Sequence, residues 1–308
     1  MSEFEHSYPN FTDSETELRY LDTLAHATKN VGKVIAMEME AERETGGYAT
    51  VPARRAAKRA KPSWWATLAF SCSISRVFPF CAVYEPFGKL TIRKWAELCL
   101  SAVQCPERFG MNVFVEGFKD RQAYDGPVMY LCNHMSTVET ILLPPILSAF
   151  GPFCYVAKAS LAHLPFLEKA AAHTGMIPIG RKSPREDLVN MLKVGTERIG
   201  RGDSFLIFPQ GTRQEVFSRK VYSSIGAKLA EKAGCPVVPI VVDTRCQLTR
   251  KSGLLAKVFK DFGTLDTSKD IRVAAGPVIP AGKAKVLHEA AFDWMATKLE
   301  SWGLPTER

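Results

Sequence analysis

Pro127-Val128-Met129-Tyr130-Leu131-Cys132-Asn133-His134-Met135-Ser136-Thr137-Val138-Glu139 is the stretch on which the fold of this chain turns. Residues 127–132 form a short unbroken apolar run, the pattern of a buried strand. Ser136 or Thr137 is a suitable N-cap, and Glu139 then falls in the first turn of a helix running on through Ile141, Leu142 and Leu143. Positions five apart on a regular helix diverge by roughly 140°, so His134 and Glu139 can meet only if His134 stands just outside that helix. There the carboxylate accepts the proton of one imidazole nitrogen and leaves the other as a base. Taken alone, the pair fits equally well a hydrogen-bonded core histidine beside an ordinary first-turn acid favoured by the helix dipole.

A second segment repeats the strand-then-turn pattern. Ser204-Phe205-Leu206-Ile207-Phe208 reads as a buried strand, broken by Pro209-Gln210-Gly211-Thr212-Arg213. Glycine lets a backbone approach a ligand closely, and arginine matches phosphate with a planar fork of donors. A third run, Gly175-Met176-Ile177-Pro178-Ile179-Gly180-Arg181, likewise ends an apolar stretch in a cation. Together these supply a base for deprotonating an alcohol and cations for holding a phosphate beside it.

Four ordered blocks carry a resemblance. His134 through Glu139, Gly175 to Arg181, Phe208 to Arg213 and Val237-Val238-Pro239-Ile240 resemble the lysophospholipid acyltransferase family, which includes the bacterial 1-acylglycerol-3-phosphate acyltransferases. Tyr155-Val156-Ala157-Lys158 and Leu164-Pro165-Phe166-Leu167 resemble its connecting sequence, so the likeness covers roughly residues 107–285. Two positions depart from the family: Glu139 stands where aspartate is usual, and Gln210 where glutamate is usual. Glu139 keeps the carboxylate; Gln210 loses a charge but gains donors, which bears on the identity of the acceptor. Ser223-Ser224-Ile225-Gly226 lacks the lysine that relatives often place before the glycine, so a cation near the acceptor site is either missing or replaced by Arg219 or Lys220.

Other chemistries find little support. Gly175 through Ser183 nearly spells a phosphate-binding loop, but Arg181 stands where lysine should follow Gly180 and Pro178 stiffens the interior. No Gly-x-Ser-x-Gly elbow and no His-Glu-x-x-His helix occur, and the remaining histidines are scattered. Eight cysteines form no CxxC pair or framework, which reads as reduced packing residues and a catalytic face in the cytoplasm.

With 308 residues, 46% hydrophobic and 23% charged, the composition is that of a globular chain with a sizeable core. Residues 1–50 hold ten acids against four bases, a net of −6, which leaves +14 for residues 51–308 within an overall +8. That basic excess favours an anionic membrane surface and acidic substrates. No reading motif or stacking signature accompanies it, so nucleic acid is not expected. The acidic start lacks the apolar core of a secretory signal, and Leu18, Leu21, Leu24, Val31, Val34 and Ile35 have helix-compatible spacing in what reads as an added extension. Arg54, Arg55, Lys58, Arg59 and Lys61 then lead into Trp64 and Trp65, as a membrane interface favours. Arg76, Pro79 and several serines make 64–84 a poor span, better suited to an interfacial or re-entrant hairpin completed by residues 92–103.

Strand-like runs at 113–115, 128–131, 153–156, 176–179, 205–208, 237–242 and 271–274 alternate with helical patterns such as 185–199 and 220–233. This predicts an α/β core: an acyltransferase-type central sheet flanked by helices. The expected organisation is an acidic extension (1–50), a basic and apolar membrane-associating helical region (51–106) and an α/β acyltransferase domain (107–308). The resemblance implies fatty acyl transfer from an acyl-CoA or acyl carrier protein thioester to a lysophospholipid hydroxyl, most plausibly that of 1-acylglycerol 3-phosphate, with no metal or redox cofactor. It casts His134 as base, Glu139 as its orienting carboxylate, Arg181 and Arg213 as phosphate ligands assisted by Thr212, and the Gly211 N–H as donor to the oxyanion. A lyso-ornithine lipid or another lyso-lipid acceptor, or a noncatalytic lipid-binding role on the same fold, remains the alternative.

Overall fold

The computed structural model describes residues 48–49, 64–84, 86, 90, 94–96, 98–99, 105–107, 109–159, 174–179, 184–248 and 263–308. All of the acidic extension except Tyr48 and Ala49, the 54–61 basic cluster and Arg181 lie outside these residues, as do most of 92–103. The described strands are β1 (Tyr48–Ala49), β2 (Val113–Glu116), β3 (Met129–Cys132), β4 (Phe153–Lys158), β5 (Met176–Ile179), β6 (Ser204–Ile207), β7 (Phe217–Ser218), β8 (Val237–Asp243), β9 (Gln247–Leu248), β10 (Thr264–Leu265), β11 (Ile271–Ala275) and β12 (Thr306–Glu307). The helices are α1 (Trp64–Tyr84), α2 (Lys119–Ala123), α3 (Val138–Leu147), α4 (Pro184–Gly200), α5 (Ile225–Ala233) and α6 (Ala284–Ser301).

One mixed sheet organises the molecule, in the order β1-β2-β11-β8-β3-β6-β4-β5, with β9/β10 and β7/β12 as small separate pairs. Its centre is parallel: β3 runs alongside β8 on one side and β6 on the other. Every residue of β3, β6 and β8 is buried. That is why these strands read as unbroken apolar runs rather than as alternating ones; a parallel sheet covered on both faces has no wet side.

The two coverings are distinct. Tyr130 and Cys132 of β3 point into a core built with α1, α3, Val238, Ile240 and Val242, while Met129 and Leu131 point into the opposite core with α4, α5 and the start of α6. A third cluster places Phe292, Met295 and Leu299 of α6, at helical spacing, on Val241 and Ala274. Gly226 is where α5 meets the sheet. A Cβ there would come within 2.4 Å of Leu131 Cδ2 and 2.9 Å of Ile207 Cγ2, so a larger residue would require those side chains or the helix to shift.

One helix differs from expectation. The 220–233 helix is divided into a 3-10 turn (Arg219–Val221) and α5, since Ser223 donates its N–H to the Pro209 carbonyl at 3.0 Å and ties the chain back to the turn after β6. Residues 64–84 form a single helix that continues through Pro79; the second arm of the expected hairpin falls mostly outside the described residues. Ala66, Phe70, Ile74, Val77 and Cys81 on one face of α1 enter the same core as β2, β8 and β11. Trp64, Trp65, Leu68, Phe80 and Val83 on the other face are exposed. No described helix is long and apolar enough to cross a membrane.

Candidate active site

The helix after β3 covers one face of the sheet and the helix after β6 covers the other. Loops leaving adjacent parallel strands in opposite directions open a crevice at their carboxyl ends, the usual ligand position in open α/β sheets. His134 follows β3 at this point, and the 208–213 turn follows β6. The strand registers carry on past the strand ends: the pairing of Met129 with Phe205 and with Val237 puts Gln210 level with His134 and Thr244 level with Ser136. Asn133 reinforces this, since its side-chain amide donates to the Val242 carbonyl at 3.0 Å and accepts from the Val242 N–H at 2.7 Å, extending the β3–β8 pairing by one residue.

His134 and Glu139 meet as their spacing requires. Nδ1 of His134 lies 2.9 Å from Oε1 of Glu139, with Thr137 as the N-cap residue of α3. Glu139 has no solvent exposure and is surrounded by donors. Oε1 accepts from the N–H groups of Met135 and Ser136, each at 2.6 Å; Oε2 accepts from the hydroxyls of Ser136 and Thr244, each at 2.7 Å. Burial by itself would push this carboxyl up, but the hydrogen bonds and charge of His134 and the donors of Ser136 outweigh it, holding Glu139 below the ordinary glutamate range and ionised. An ionised carboxylate only accepts, so Nδ1 of His134 carries the proton and Nε2 is left for proton transfer. The ring stacks on Phe208 at a centroid distance of 4.5 Å and retains 18% side-chain exposure, enough to meet a substrate.

The 208–213 turn closes around Gly211, whose φ of 68° lies in the left-handed region that glycine tolerates. Its N–H donates to the Phe208 carbonyl at 2.9 Å, and that of Thr212 to the Gln210 carbonyl at 2.8 Å. The Gly211 N–H expected to meet an oxyanion is thus directed back into its own turn. Arg213 reaches the loop that carries the histidine: its Nη1 donates to Thr137 Oγ1 at 3.2 Å. The N–H groups preceding α3 are already used, by Glu139 and by Gln247, whose Oε1 accepts from Thr137 at 2.7 Å. A phosphate here therefore relies on the guanidinium rather than on the helix end.

Both replacements offered for the missing lysine have carboxylate partners elsewhere. Arg219 binds Glu289 and, at 3.1 Å, Asp293 of α6 while lying over the Phe292 ring; Lys220 is within 3.8 Å of Glu307. Sequence reasoning missed Thr244 and Gln247 and gave Asn133 no role. Their only local signal is that they are polar residues at the carboxyl ends of buried strands. All eight cysteines are free and all but Cys72 are buried.

Residues 112–243 match the family model described as Acyltransferase. The chain is 32% identical over 176 residues to the 1-acyl-sn-glycerol-3-phosphate acyltransferase of Pseudomonas aeruginosa, a match covering 57% of this chain and 63% of that protein. It is 29% identical over 161 residues to the lyso-ornithine lipid O-acyltransferase of the same organism, covering 52% and 56%. The chain thus spans less than two thirds of the length of either relative. Among solved structures, the 1-acyl-sn-glycerophosphate (LPA) acyltransferase PlsC of Thermotoga maritima superimposes with a TM-score of 0.58 at 16% identity, over 78% of this chain and 95% of that one, which is agreement in fold. The four sequence blocks that carry the resemblance lie within residues 112–243, the part of the chain that matches the Acyltransferase model and is similar to 1-acyl-sn-glycerol-3-phosphate acyltransferases.

Proposed function

We infer that this protein is an O-acyltransferase that moves a fatty acyl group from a thioester to the hydroxyl of a lysophospholipid, 1-acylglycerol 3-phosphate being the acceptor the site suits best. The observation that carries this is a histidine whose Nδ1 is committed to a buried carboxylate at 2.9 Å, with Arg213 of the facing turn hydrogen-bonded to Thr137, three residues beyond that histidine. His134 Nε2 takes the proton of the acceptor hydroxyl, the oxygen attacks the thioester carbonyl, and the thiolate leaves and is reprotonated by the imidazolium. Glu139 fixes the tautomer and stabilises the imidazolium while it exists. Arg213 binds the acceptor phosphate with Thr212 at its side, and Arg181 is assigned the same role from the sequence. The co-substrate is acyl-CoA or acyl carrier protein; no metal or redox group enters any step. The outward face of α1, with Trp64 and Trp65 stacked at 3.7 Å, together with the basic residues before it, suits docking on an anionic membrane at its cytoplasmic face.

A lyso-ornithine acceptor is the second reading, favoured by the likeness to the P. aeruginosa enzyme of that name. Purified protein assayed against a lysolipid panel with both thioester donors decides between them. Acylation of 1-acylglycerol 3-phosphate by wild type and not by His134→Ala supports the first reading; turnover by His134→Ala at the wild-type rate would overturn the mechanism.

A further inference from the structure

Gln210 is almost fully buried, and both ends of its side-chain amide are engaged with backbone. Oε1 accepts the His134 N–H at 3.0 Å, and Nε2 donates to the Val216 carbonyl at 3.3 Å. The other end of residue 134 is held from the same loop, since the Gln214 N–H donates to the His134 carbonyl at 2.8 Å. The backbone of the base is therefore gripped on both its N–H and its C=O by the segment that carries Arg213. That segment is anchored further along. Phe217 donates its N–H to the Pro305 carbonyl at 3.0 Å, and β7 pairs in parallel with β12. Ser218 Oγ donates to Glu307 Oε2 at 2.9 Å.

The geometry points to Gln210 as a positioning residue for the reaction proposed above: through backbone groups alone, it sets the separation between the His134 ring and the Arg213 guanidinium. It is not a reader of the acceptor headgroup. The position demands an acceptor and a donor on one short side chain, which an amide supplies and a carboxylate does not. In Gln210→Glu, an ionised side chain would set an oxygen against the Val216 carbonyl in a place with little solvent. Burial favours the neutral acid, and the neutral acid restores the missing donor. The ionised form does not.

This inference rests on the acyltransferase reading, so its test has two independent arms. In the kinetic arm, Gln210→Met keeps the length and loses both hydrogen bonds. Its kcat should fall by about tenfold to a hundredfold, with KM for acceptor and thioester within about threefold of wild type, as misplacement of a reacting group costs rate. The ratio of Gln210→Glu to wild-type kcat should approach one at acid pH and decline as pH rises. An altered acceptor preference with unchanged kcat, or a pH-independent ratio, would overturn the proposal. The second arm needs no substrate: hydrogen exchange at the His134 amide should be faster in Gln210→Met than in wild type, and unchanged protection would also overturn it. If Gln210→Met does not fold, Gln210→Glu compared at acid and neutral pH gives the same exchange reading. A wild-type protein inert towards every lysolipid would overturn the acyltransferase reading, and the exchange arm would still decide the placement of His134 by Gln210.

Discussion

Replacing Thr244 by valine removes one hydroxyl and leaves the volume almost unchanged. In the folded protein that hydroxyl is buried and donates to Oε2 of Glu139 at 2.7 Å. A hydrogen bond to a charged group contributes about 1.5–3 kcal/mol, and a buried carboxylate short of a donor bears the desolvation cost as well. Oε2 retains the Ser136 hydroxyl, so the lower half of that range applies, about 2 kcal/mol. The pH dependence gives the test its edge. Glu139 is held below its ordinary glutamate value despite burial, by His134 and Ser136. Its contribution to stability is therefore complete above the unfolded-state value and is lost as pH falls through the depressed folded one. A donor that serves the ionised form matters over the same window. Urea unfolding should show Thr244→Val destabilised by about 2 kcal/mol at about pH 7, the deficit shrinking only as the medium is acidified below the ordinary glutamate range, through the depressed folded-state value. Thr244→Ser should recover most of it. In the acyl-transfer assay, kcat should fall in Thr244→Val and return in Thr244→Ser. A deficit of equal size at neutral pH and below that value would mean that Thr244 acts by packing, and no deficit at all would refute the donor assignment.

Further outcomes follow from the same geometry. Glu139→Asp should keep more acyl-transfer activity than Glu139→Gln, because it preserves the charge facing the imidazolium although it shortens the reach; the reverse order would refute an electrostatic role. Arg213→Ala should chiefly raise KM for a phosphorylated acceptor, with a smaller effect on the thioester, and equal losses for both would assign Arg213 to structure. Changing Trp64 and Trp65 to Ala and neutralising the 54–61 basic cluster should weaken cosedimentation with anionic liposomes. Added salt should reduce the charge contribution through screening and leave an apolar remainder, and partitioning equal to wild type would remove the proposed anchor.

The α/β class, the strand positions and the His134–Glu139 pair were legible from the linear chain, because each depends on residues within one or two turns of one another. Unbroken apolar runs mark strands buried on both faces, and the pair's spacing of five works only across a turn-to-helix junction, where it is found. The turn ending in Arg213 was legible for the same reason. The rest of the site depends on which strands lie side by side, and no local window carries that. Thr244 stands over a hundred residues from Glu139 and reaches it because β8 pairs with β3 in a register that sets it level with Ser136. Gln210, read from the sequence as a clue to the acceptor, instead supports the backbone of His134 across the β3–β6 register. Arg219, offered from the sequence as a spare cation for the site, is held by carboxylates of α6. The chain by itself determined which chemical groups are present and which secondary element carries each one. Only the lateral order and register of the sheet decided which of those groups face one another, since strand pairing is a long-range choice made when both faces of the sheet are buried.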